Sequence, residues 1–500
     1  MTDHVLVDYA DIQGLVRFGY AKLTEASFIL LSIRNIPAAQ SWLANAQVSN
    51  AVQLPDAPST ALQIAFTREG LEALQVPGEV IAGFSAEFCS GMSGDESRSR
   101  RLGDVGTNSP QNWTWGGPGK VPHILLMAYA RDPLLEQFMK TIQDSQWDDA
   151  FGVIDVLPTS NLYGVEPFGF IDGISQPMID WECRHKINDD QLKYRNITAL
   201  GEFLLGYSNE YGKYTDRPLL RATAPFSAML PAAEDVPGMH DLGRNGTYLV
   251  VRQLKQDVRG FWRFANTQAN SDPVKRQKLA EAMVGRTLKG EPLVVPDKPA
   301  ITAGDLTGAP QNQFTYDGDP NALQCPFGAH IRRANPRNAD LPAETAGGLS
   351  QLIHTLGFGE TSYRDDVLAS TRFHRLLRRG REYGPGLSME EAIQEDTSDT
   401  TDHGIHFITC NANISRQFEF VQSSWVMSTK FGGLTEESDP LLGNREPVKG
   451  CQRTDVFSLP QQNGLRERVV GLPQFVTVRG GAYFFLPGIH ALRYLCSFCV

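Results

Sequence analysis

The sequence has few cysteines and no long apolar segment, and each absence excludes a class of protein. Seven cysteines among 500 residues are too few for a disulfide framework, and the count is odd. No apolar run approaches the roughly 20 residues that cross a bilayer, so we expect no transmembrane helix. The N-terminus lacks a basic segment followed by an apolar one, so we expect no signal peptide. The compartment stays open: cytoplasmic by sequence, or extracellular if the chain is a mature or non-classically secreted form.

An excess of positive charge is also absent. The chain has 46 basic and 57 acidic residues, which gives a net charge of −11. This balance disfavours general affinity for nucleic acid or anionic membranes, so we expect neither as a partner. A hydrophobic content of 41% is enough to bury a core and excludes a disordered chain, and the length predicts roughly two to four domains.

The common nucleotide, hydrolase and zinc motifs are missing too. The sequence contains no phosphate-binding Gly-x-x-x-x-Gly-Lys-Ser/Thr loop, no dinucleotide-binding Gly-x-Gly-x-x-Gly after a strand, no Gly-x-Ser-x-Gly and no His-Glu-x-x-His. Cys496 and Cys499 form a Cys-x-x-Cys without a second pair at zinc spacing, which favours a structural role. His403 and His406 lie where a strand is expected to begin, which favours an ordinary partly buried pair.

Apolar periodicity in the first half predicts alternating strands and helices. Strands are expected at 27–33, 61–67, 123–129 and 151–157, with helices near 37–46 and 134–142. Asp132 is expected to cap the second of these helices, with Pro133 at its first position. The order strand, helix, strand, strand, helix, strand is that of a ferredoxin-like unit.

A proline-rich stretch between residues 218 and 237 predicts a domain boundary near residue 240. The same rhythm then restarts, with strands expected at 246–252, 404–410 and 475–485 and helices near 257–264 and 414–425. Two halves with the same rhythm predict a duplicated α+β architecture.

Three segments contain residues suited to chemistry: 168–177 with Asp172, 325–337 with His330, and 376–385 with Arg378. Taken singly, Asp172 is typical of an Asp-Gly turn, His330 of a core histidine and Arg378 of a solvated charge. Together they match what haem peroxide chemistry needs. A histidine binds iron, a carboxylate moves a proton between the peroxide oxygens, and a cation stabilises the charge that develops as the O–O bond breaks.

Five motifs in this order resemble those of the DyP-type (dye-decolorizing) haem peroxidases, and the resemblance spans nearly the whole chain. They lie at 11–20 (Asp-Ile-Gln-Gly and Phe-Gly-Tyr), 169–173 (Gly-Phe-Ile-Asp-Gly), 245–252, 325–332 (Cys-Pro-Phe-Gly-Ala-His-Ile-Arg) and 480–485. The resemblance implies two tandem ferredoxin-like domains, residues 1–240 and 241–500, built from antiparallel sheets with peripheral helices. It also implies one haem b per chain, held non-covalently and mainly by the C-terminal domain.

The implied activity is reduction of hydrogen peroxide with oxidation of dyes, phenols and related aromatic compounds. An aspartate base has an unperturbed pKa near ~3.9, which predicts an acidic pH optimum. The alternative is a haem-binding or haem-handling protein with incidental peroxidase activity. The chain is expected to be a monomer or a homodimer.

The resemblance also implies roles for individual residues. His330 would be the proximal iron ligand, Asp172 the distal acid–base residue and Arg378 the distal arginine. Of the remaining residues, Arg332 would pair with a haem propionate, Asp439 would accept the His330 ring N–H, and Gly173 and Ile174 would contact the cofactor. If the alignment shifts, the distal arginine is Arg375, Arg379 or Arg381 instead.

Other residues are assigned from their spacing. Ile405 and Phe407 alternate on one strand face and are expected to line the distal pocket. Bulky dyes do not fit a small pocket, so Tyr383 and Trp425 are either surface relays for electrons or core aromatics. The interval of 48 residues from His330 to Arg378 is longer than the resemblance implies, which predicts an insertion near 350–371 that either lines the access channel or decorates the surface.

Overall fold

The computed structural model describes residues 7–183, 196–294, 310–312, 314–316, 318–337, 371–394, 401–447 and 451–497. Almost all of the predicted insertion near 350–371, and Cys499, lie outside these residues. Within them, no helix is both long and apolar enough to cross a membrane.

The strands follow the predicted rhythm closely. They are β1 (Glu25–Ile33), β2 (Thr60–Phe66), β3 (Ile124–Ala130), β4 (Phe151–Pro158), β5 (Met178–Asp180), β6 (Ile197–Ala199), β7 (Leu219–Arg221), β8 (Met239–Asp241), β9 (Thr247–Gln256), β10 (Leu377–Arg378), β11 (Arg381–Tyr383), β12 (Gly404–Asn411), β13 (Val456–Leu459), β14 (Glu467–Val470) and β15 (Val476–Leu486).

One antiparallel sheet runs through both halves of the chain. The first half contributes β4-β1-β3-β2, and the second contributes β15-β9-β12 followed by β10 and β11 at the edge. If the strands of each half are numbered separately, both read 4-1-3-2, the order of a ferredoxin-like unit. The two units meet where β2 pairs with β15 at Phe66 and Phe485. The predicted α+β class with tandem ferredoxin-like units is therefore confirmed, whereas the boundary near residue 240 stays a prediction.

Helices cover both faces of this sheet. They are α1 (Leu15–Phe18), α2 (Ile36–Asn45), α3 (Arg68–Ala73), α4 (Gly78–Ile81), α5 (Ala86–Ser90), α6 (Glu96–Leu102), α7 (Leu135–Ile142), α8 (Trp147–Ala150), α9 (Val258–Gln268), α10 (Pro273–Val284), α11 (His330–Ala334), α12 (Met389–Ile393) and α13 (Ile489–Leu495). Short 3-10 turns lie at Gly106–Asn108, Pro110–Asn112, Leu200–Glu202, Ser227–Met229, Pro310–Asn312, Arg372–His374 and Phe431–Gly433.

Burial on both faces explains why the strands read as continuous apolar runs. Successive residues of a strand point to opposite faces of the sheet. In β1, Ile29 and Leu31 belong to one core cluster while Phe28 and Leu30 belong to the other. Neither face is left to solvent there, so alternation with polar residues disappears.

Two predicted helices differ locally from the structure. Helix α7 begins at Leu135 rather than at Pro133, because residues 131–134 form a turn closed by the Leu134 N–H to the Arg131 carbonyl at 2.7 Å. The Leu135 N–H is then accepted by the Glu25 carboxylate at 3.2 Å. The predicted helix at 414–425 consists of two wide π-helical segments, Ser415–Glu419 and Val421–Val426.

The histidine pair near the start of β12 behaves as predicted. His403 and His406 are buried, and each contacts a backbone carbonyl, of Pro385 at 2.8 Å and of Pro158 at 3.0 Å respectively. Each ring thus has one backbone partner, and Nδ1 of His406 is buried without a hydrogen-bond partner among the described residues.

Candidate active site

A cavity of about 250 Å³ lies against the second half of the sheet. Strands β9, β12 and β15 contribute to its wall, together with residues of the 166–177 segment and of 330–337. The wall is mostly aliphatic and aromatic. His330, Asp172 and Arg378 all line this cavity, although Asp172 and Arg378 are 206 positions apart.

His330 is the first residue of α11, and its ring is held from behind by a buried carboxylate. The Nδ1–H donates to Asp439 Oδ2 at 2.9 Å, as the resemblance implied. Asp439 Oδ1 in turn accepts the N–H groups of Leu441 and Leu442, each at 2.9 Å. With Nδ1 engaged as a donor, Nε2 of a neutral ring keeps its lone pair for a ligand in the cavity.

The electrostatics of this pair follow from its contacts. Burial alone lowers the pKa of His330, but the charge of Asp439 and their hydrogen bond outweigh burial and raise it above its ordinary value. For Asp439, burial raises the pKa, and the His330 ring, the Leu442 N–H and the charge of Arg333 more than offset burial, so the pKa is lowered.

Arg333 fastens α11 to the segments that surround Asp439. Its fully buried guanidinium donates to the carbonyls of Trp425 and Ser428, both at 2.9 Å, and of Glu437 at 2.7 Å. Trp425 belongs to the second π-helical segment, and Glu437 lies two residues before Asp439. The position of His330 is thus set by backbone contacts on two sides.

Asp172 lies on a tight turn and forms an ion pair with Arg378 of β10. Arg378 Nη1 donates to Asp172 Oδ1 at 2.6 Å, and the two side chains are 28% and 33% exposed because they face the cavity. The backbone of Gly173 has φ +80°, in the left-handed region that favours glycine, and its N–H donates to the Asp172 carboxylate.

The pKa of Asp172 lies below its ordinary value of 3.8. Burial raises the pKa, but the charge of Arg378 and its hydrogen bond, with help from the Gly173 N–H, outweigh burial. The carboxyl group is therefore ionised even in mildly acidic solution, which suits a proton acceptor.

The alternative distal arginines make other contacts. Arg375 lines the cavity but donates to Ile197 O at 3.0 Å and to Thr198 Oγ1 at 2.7 Å. Arg379 donates to the carbonyls of α1, and Arg381 donates to Tyr20 O and Leu23 O. Of the four arginines considered, Arg378 is the one bound to Asp172.

Arg332 lies elsewhere than predicted. It is buried, does not line the cavity, and donates to the Cys325 carbonyl at 2.6 Å and to Asp319 Oδ2 at 3.2 Å. Its guanidinium also lies over the Tyr316 ring, 4.3 Å from the centroid. The structure does not support the expected pairing of Arg332 with a haem propionate, because the Arg332 guanidinium already forms an ion pair with the Asp319 carboxylate.

Two arginines that sequence reasoning missed line the cavity instead. Arg286 donates to Gly290 O at 2.7 Å and to Ser175 Oγ at 2.9 Å, and it has no carboxylate partner among the described residues. Burial, together with the charge of Arg337, lowers the pKa of Arg286 to about 10. Arg337 lines the cavity as well, seven residues after His330. The Asn-Pro-Arg that ends the 325–337 segment was a visible signal for it.

The other predicted residues divide into two groups. Ile174, Ile405, Phe407 and Trp425 line the cavity, while Gly173 and Tyr383 do not. Tyr383 is 7% exposed and stacks on His406, with ring centroids 4.6 Å apart. Trp425 is also 7% exposed, so neither aromatic is a surface residue.

A row of aromatic residues leads from Trp425 toward the surface, made of two ring contacts that are joined through the adjacent residues His374 and Phe373. Trp425 contacts His374 with ring centroids 5.3 Å apart, and His374 follows Phe373 in the chain. Phe373 stacks on Tyr211 with centroids 4.0 Å apart, and Tyr211 is 49% exposed. Nothing in the sequence near Tyr211 indicated this connection, because its partner lies 162 positions away.

Comparison with known proteins gives a consistent result. No family model matches the chain. Peroxidase 2 of Mycetinis scorodonius is 28% identical over 526 residues, which cover 97% of this chain and 87% of that protein. Dye-decolorizing peroxidase AauDyP1 of Auricularia auricula-judae is 28% identical over 509 residues, covering 96% and 86%. The crystal structure of a decolorizing peroxidase from Auricularia auricula-judae superposes with a TM-score of 0.70 at 25% identity, over 98% of this chain and all of that one.

Proposed function

This chain belongs to the dye-decolorizing (DyP-type) haem peroxidase family, and we propose that Asp172 and Arg378 carry out the proton transfer and charge stabilisation of its reaction. It is a haem-dependent peroxidase, with peroxide and aromatic compounds as its substrates. One observation carries the proposal: the hydrogen-bonded Asp172–Arg378 pair lines the same cavity as His330, whose ring is oriented by buried Asp439.

The cavity residues fit a haem group, which we propose to be one haem b per chain. His330 offers Nε2 as an iron ligand, and the aliphatic and aromatic wall suits a porphyrin. Arg286 and Arg337 would bind the propionates. Arg286 supports this assignment because it is a buried cation whose partners among the described residues are neutral. When bound, the haem iron would supply the redox centre at which peroxide is reduced.

The protein residues would divide the remaining work. Asp172, ionised because Arg378 lowers its pKa, would accept a proton from one peroxide oxygen and return it to the other. Arg378 would stabilise the negative charge that develops on the departing oxygen. Asp439 would keep the His330 ring oriented and electron-donating. Because Asp172 remains a base in acid, we propose an acidic pH optimum.

Bulky reductants would need a route that does not pass through the cavity. We propose that they donate single electrons at Tyr211 and that Trp425 is the inner end of the path, through the rings of Phe373 and His374. Oxidation of the Tyr211 phenol releases its proton to solvent, and one electron from the reductant together with a proton from solvent restores the phenol. Tyr383 remains a second candidate relay, although it is buried.

The test is rapid mixing of the haem-loaded protein with hydrogen peroxide, followed by its haem absorption. We expect Asp172→Asn to keep its haem and to react about 10²- to 10⁴-fold more slowly than wild type. His330→Ala should lose or weaken haem binding. Full-speed reaction of Asp172→Asn would contradict the proposal and favour a haem-binding protein with incidental activity.

A further inference from the structure

We infer that Glu166 is a positioning residue for Asp172: its carboxylate fastens the turn that carries Asp172 to strand β9 and so sets where Asp172 lies in the cavity. Glu166 precedes Asp172 by six residues and lines the same cavity. The inference rests on the proposed function, since it presumes that Asp172 transfers the proton.

The turn is closed by backbone hydrogen bonds. The Asp172 N–H donates to Gly164 O at 3.0 Å, and the Glu166 N–H donates to Phe170 O at 2.8 Å. At the tip, the Gly169 N–H donates to Glu166 O at 2.8 Å, and Gly169 has φ +100°, which a residue with a side chain rarely adopts. These bonds leave the N–H groups of Phe168 and Phe170 without a backbone partner in the turn.

The Glu166 carboxylate accepts both of these groups. Oε2 accepts the Phe168 N–H and Oε1 accepts the Phe170 N–H, each at 3.0 Å. Both phenylalanines are buried, so water cannot readily replace the carboxylate. Oε2 also accepts Nε2 of Gln256 at 2.8 Å, and Gln256 is the buried last residue of β9. One side chain thus shapes the turn and ties it to the sheet.

A second anchor holds the other side of Asp172. Gln176 Nε2 donates to the Arg378 carbonyl at 3.2 Å, and the Arg378 N–H donates back to Gln176 Oε1 at 3.1 Å. Asp172 is therefore held between one contact to β9 and one to β10, with β12 between these strands. We expect both anchors to contribute to keeping the Asp172 carboxylate 2.6 Å from Arg378 Nη1.

Charge and position can be separated at this residue. Burial raises the pKa of Glu166 to about 7, against the lowering effect of its hydrogen bonds, and the charge of Asp172 adds to the rise. Replacing Glu166 by glutamine removes a negative charge above about pH 7 and leaves the charge unchanged in acid, so under neither condition does it make Asp172 harder to ionise. A slower proton transfer in Glu166→Gln would therefore come from the lost hydrogen bonds, since a glutamine has a single acceptor oxygen for three donors.

Glu382 of β11 provides the matched control. Its charge also acts on Asp172, but its carboxylate makes no hydrogen bond to the 164–172 turn among the described residues. Glu382→Gln thus removes another acidic group that acts on Asp172 without touching the turn. Phe168 and Phe170 keep their packing against Phe261 and Trp262 in either variant, which favours a folded protein.

The experiment compares haem-loaded wild type, Glu166→Gln, Glu382→Gln and Asp172→Asn. For each, we would measure haem content, melting temperature, the affinity for cyanide from the absorption spectrum, and the rate of reaction with peroxide. A displacement of about 1 Å costs up to 10²-fold, so we expect Glu166→Gln to react roughly 10- to 100-fold more slowly and to bind cyanide more weakly. Its haem content and melting temperature should stay near wild type, and Glu382→Gln should match wild type throughout.

Each other outcome has a definite meaning. Wild-type rate and cyanide affinity in Glu166→Gln would overturn the inference, and so would equal losses in Glu166→Gln and Glu382→Gln. If Glu166→Gln does not fold, Gln256→Met, which keeps the turn but removes its tie to β9, should show a severalfold loss, and wild-type behaviour of that variant would overturn the inference. Full-speed reaction of Asp172→Asn would instead contradict the proposed function.

Discussion

Two carboxylates, Asp439 and Asp172, each pair with a cation or imidazole at the same cavity, yet their surroundings differ. Asp439 is fully buried, and both of its oxygens are occupied by His330 and by two backbone N–H groups. Asp172 is one-third exposed toward the cavity, and Arg378 is its one side-chain partner among the described contacts. The first arrangement holds a ring in place, whereas the second leaves a carboxylate able to exchange protons with a ligand.

Within this comparison, the largest expected effect is on the reactive pair, Asp172 and Arg378. Arg378→Leu removes the charge that faces the developing anion while leaving the backbone contacts of Arg378 with Gln176 intact. We expect the rate of reaction with peroxide to fall about 10²- to 10³-fold, with haem content unchanged. Rapid mixing measures the rate, and the haem absorption of the purified protein measures the content. A parallel loss of haem would show that Arg378 holds the cofactor rather than assisting the reaction.

In the second pair, Asp439 and His330, a substitution should change haem retention rather than reaction rate. Asp439→Asn keeps the shape of the side chain but removes the negative charge that orients the His330 ring. We expect haem to dissociate about 10- to 100-fold more readily, while Asp172→Asn leaves dissociation unchanged. Transfer of haem to an excess of apomyoglobin measures this rate. Equal haem retention in Asp439→Asn and wild type would mean that the contact does not act on the iron ligand.

The sequence predicted the main residues of these two pairs but not all of the charges around the cavity. The alternation of strands and helices followed from periodic apolar runs, and the roles of His330, Asp172 and Arg378 were implied by the resemblance of their motifs to those of a known family. The direction of an arginine side chain has no such local signal. Arg332 turns toward Asp319 while Arg286 faces the cavity, and both read simply as cations in the sequence.

Contacts between distant segments set the same limit elsewhere. At the start of helix α7, the carboxylate of Glu25, 110 positions earlier, accepts the Leu135 N–H. Tyr211 joins the aromatic row through Phe373, which lies in a different part of the chain. Periodicity and motif spacing report only neighbours along the chain. They therefore do not predict contacts between residues that the fold brings together from distant segments.

The pH dependence of the reactive pair gives a smaller effect with a definite sign. A group with a lowered pKa keeps its charge until the pH falls through that lowered value, so the wild-type rate should decline only below the ordinary aspartate pKa of 3.8. Arg378→Leu removes the main lowering influence and leaves burial, which raises the pKa, so the acid limb should move to higher pH. The profile of kcat/KM for peroxide measures the shift. An unmoved limb would mean that another group titrates, and Asp172→Asn, which lacks the carboxyl, is the control.

The smallest expected effect separates the cavity from the aromatic row. Tyr211→Phe keeps the ring stacked on Phe373 but removes the phenol that would lose a proton on oxidation. We expect a severalfold lower kcat/KM for a bulky dye and no change for a small phenol, which can reach the cavity. Tyr163→Phe is the matched control, because Tyr163 is 90% exposed but has no ring contact among the described residues. If both variants lose dye oxidation equally, exposure alone would explain the result; if Tyr211→Phe loses activity on both substrates, the ring acts by packing.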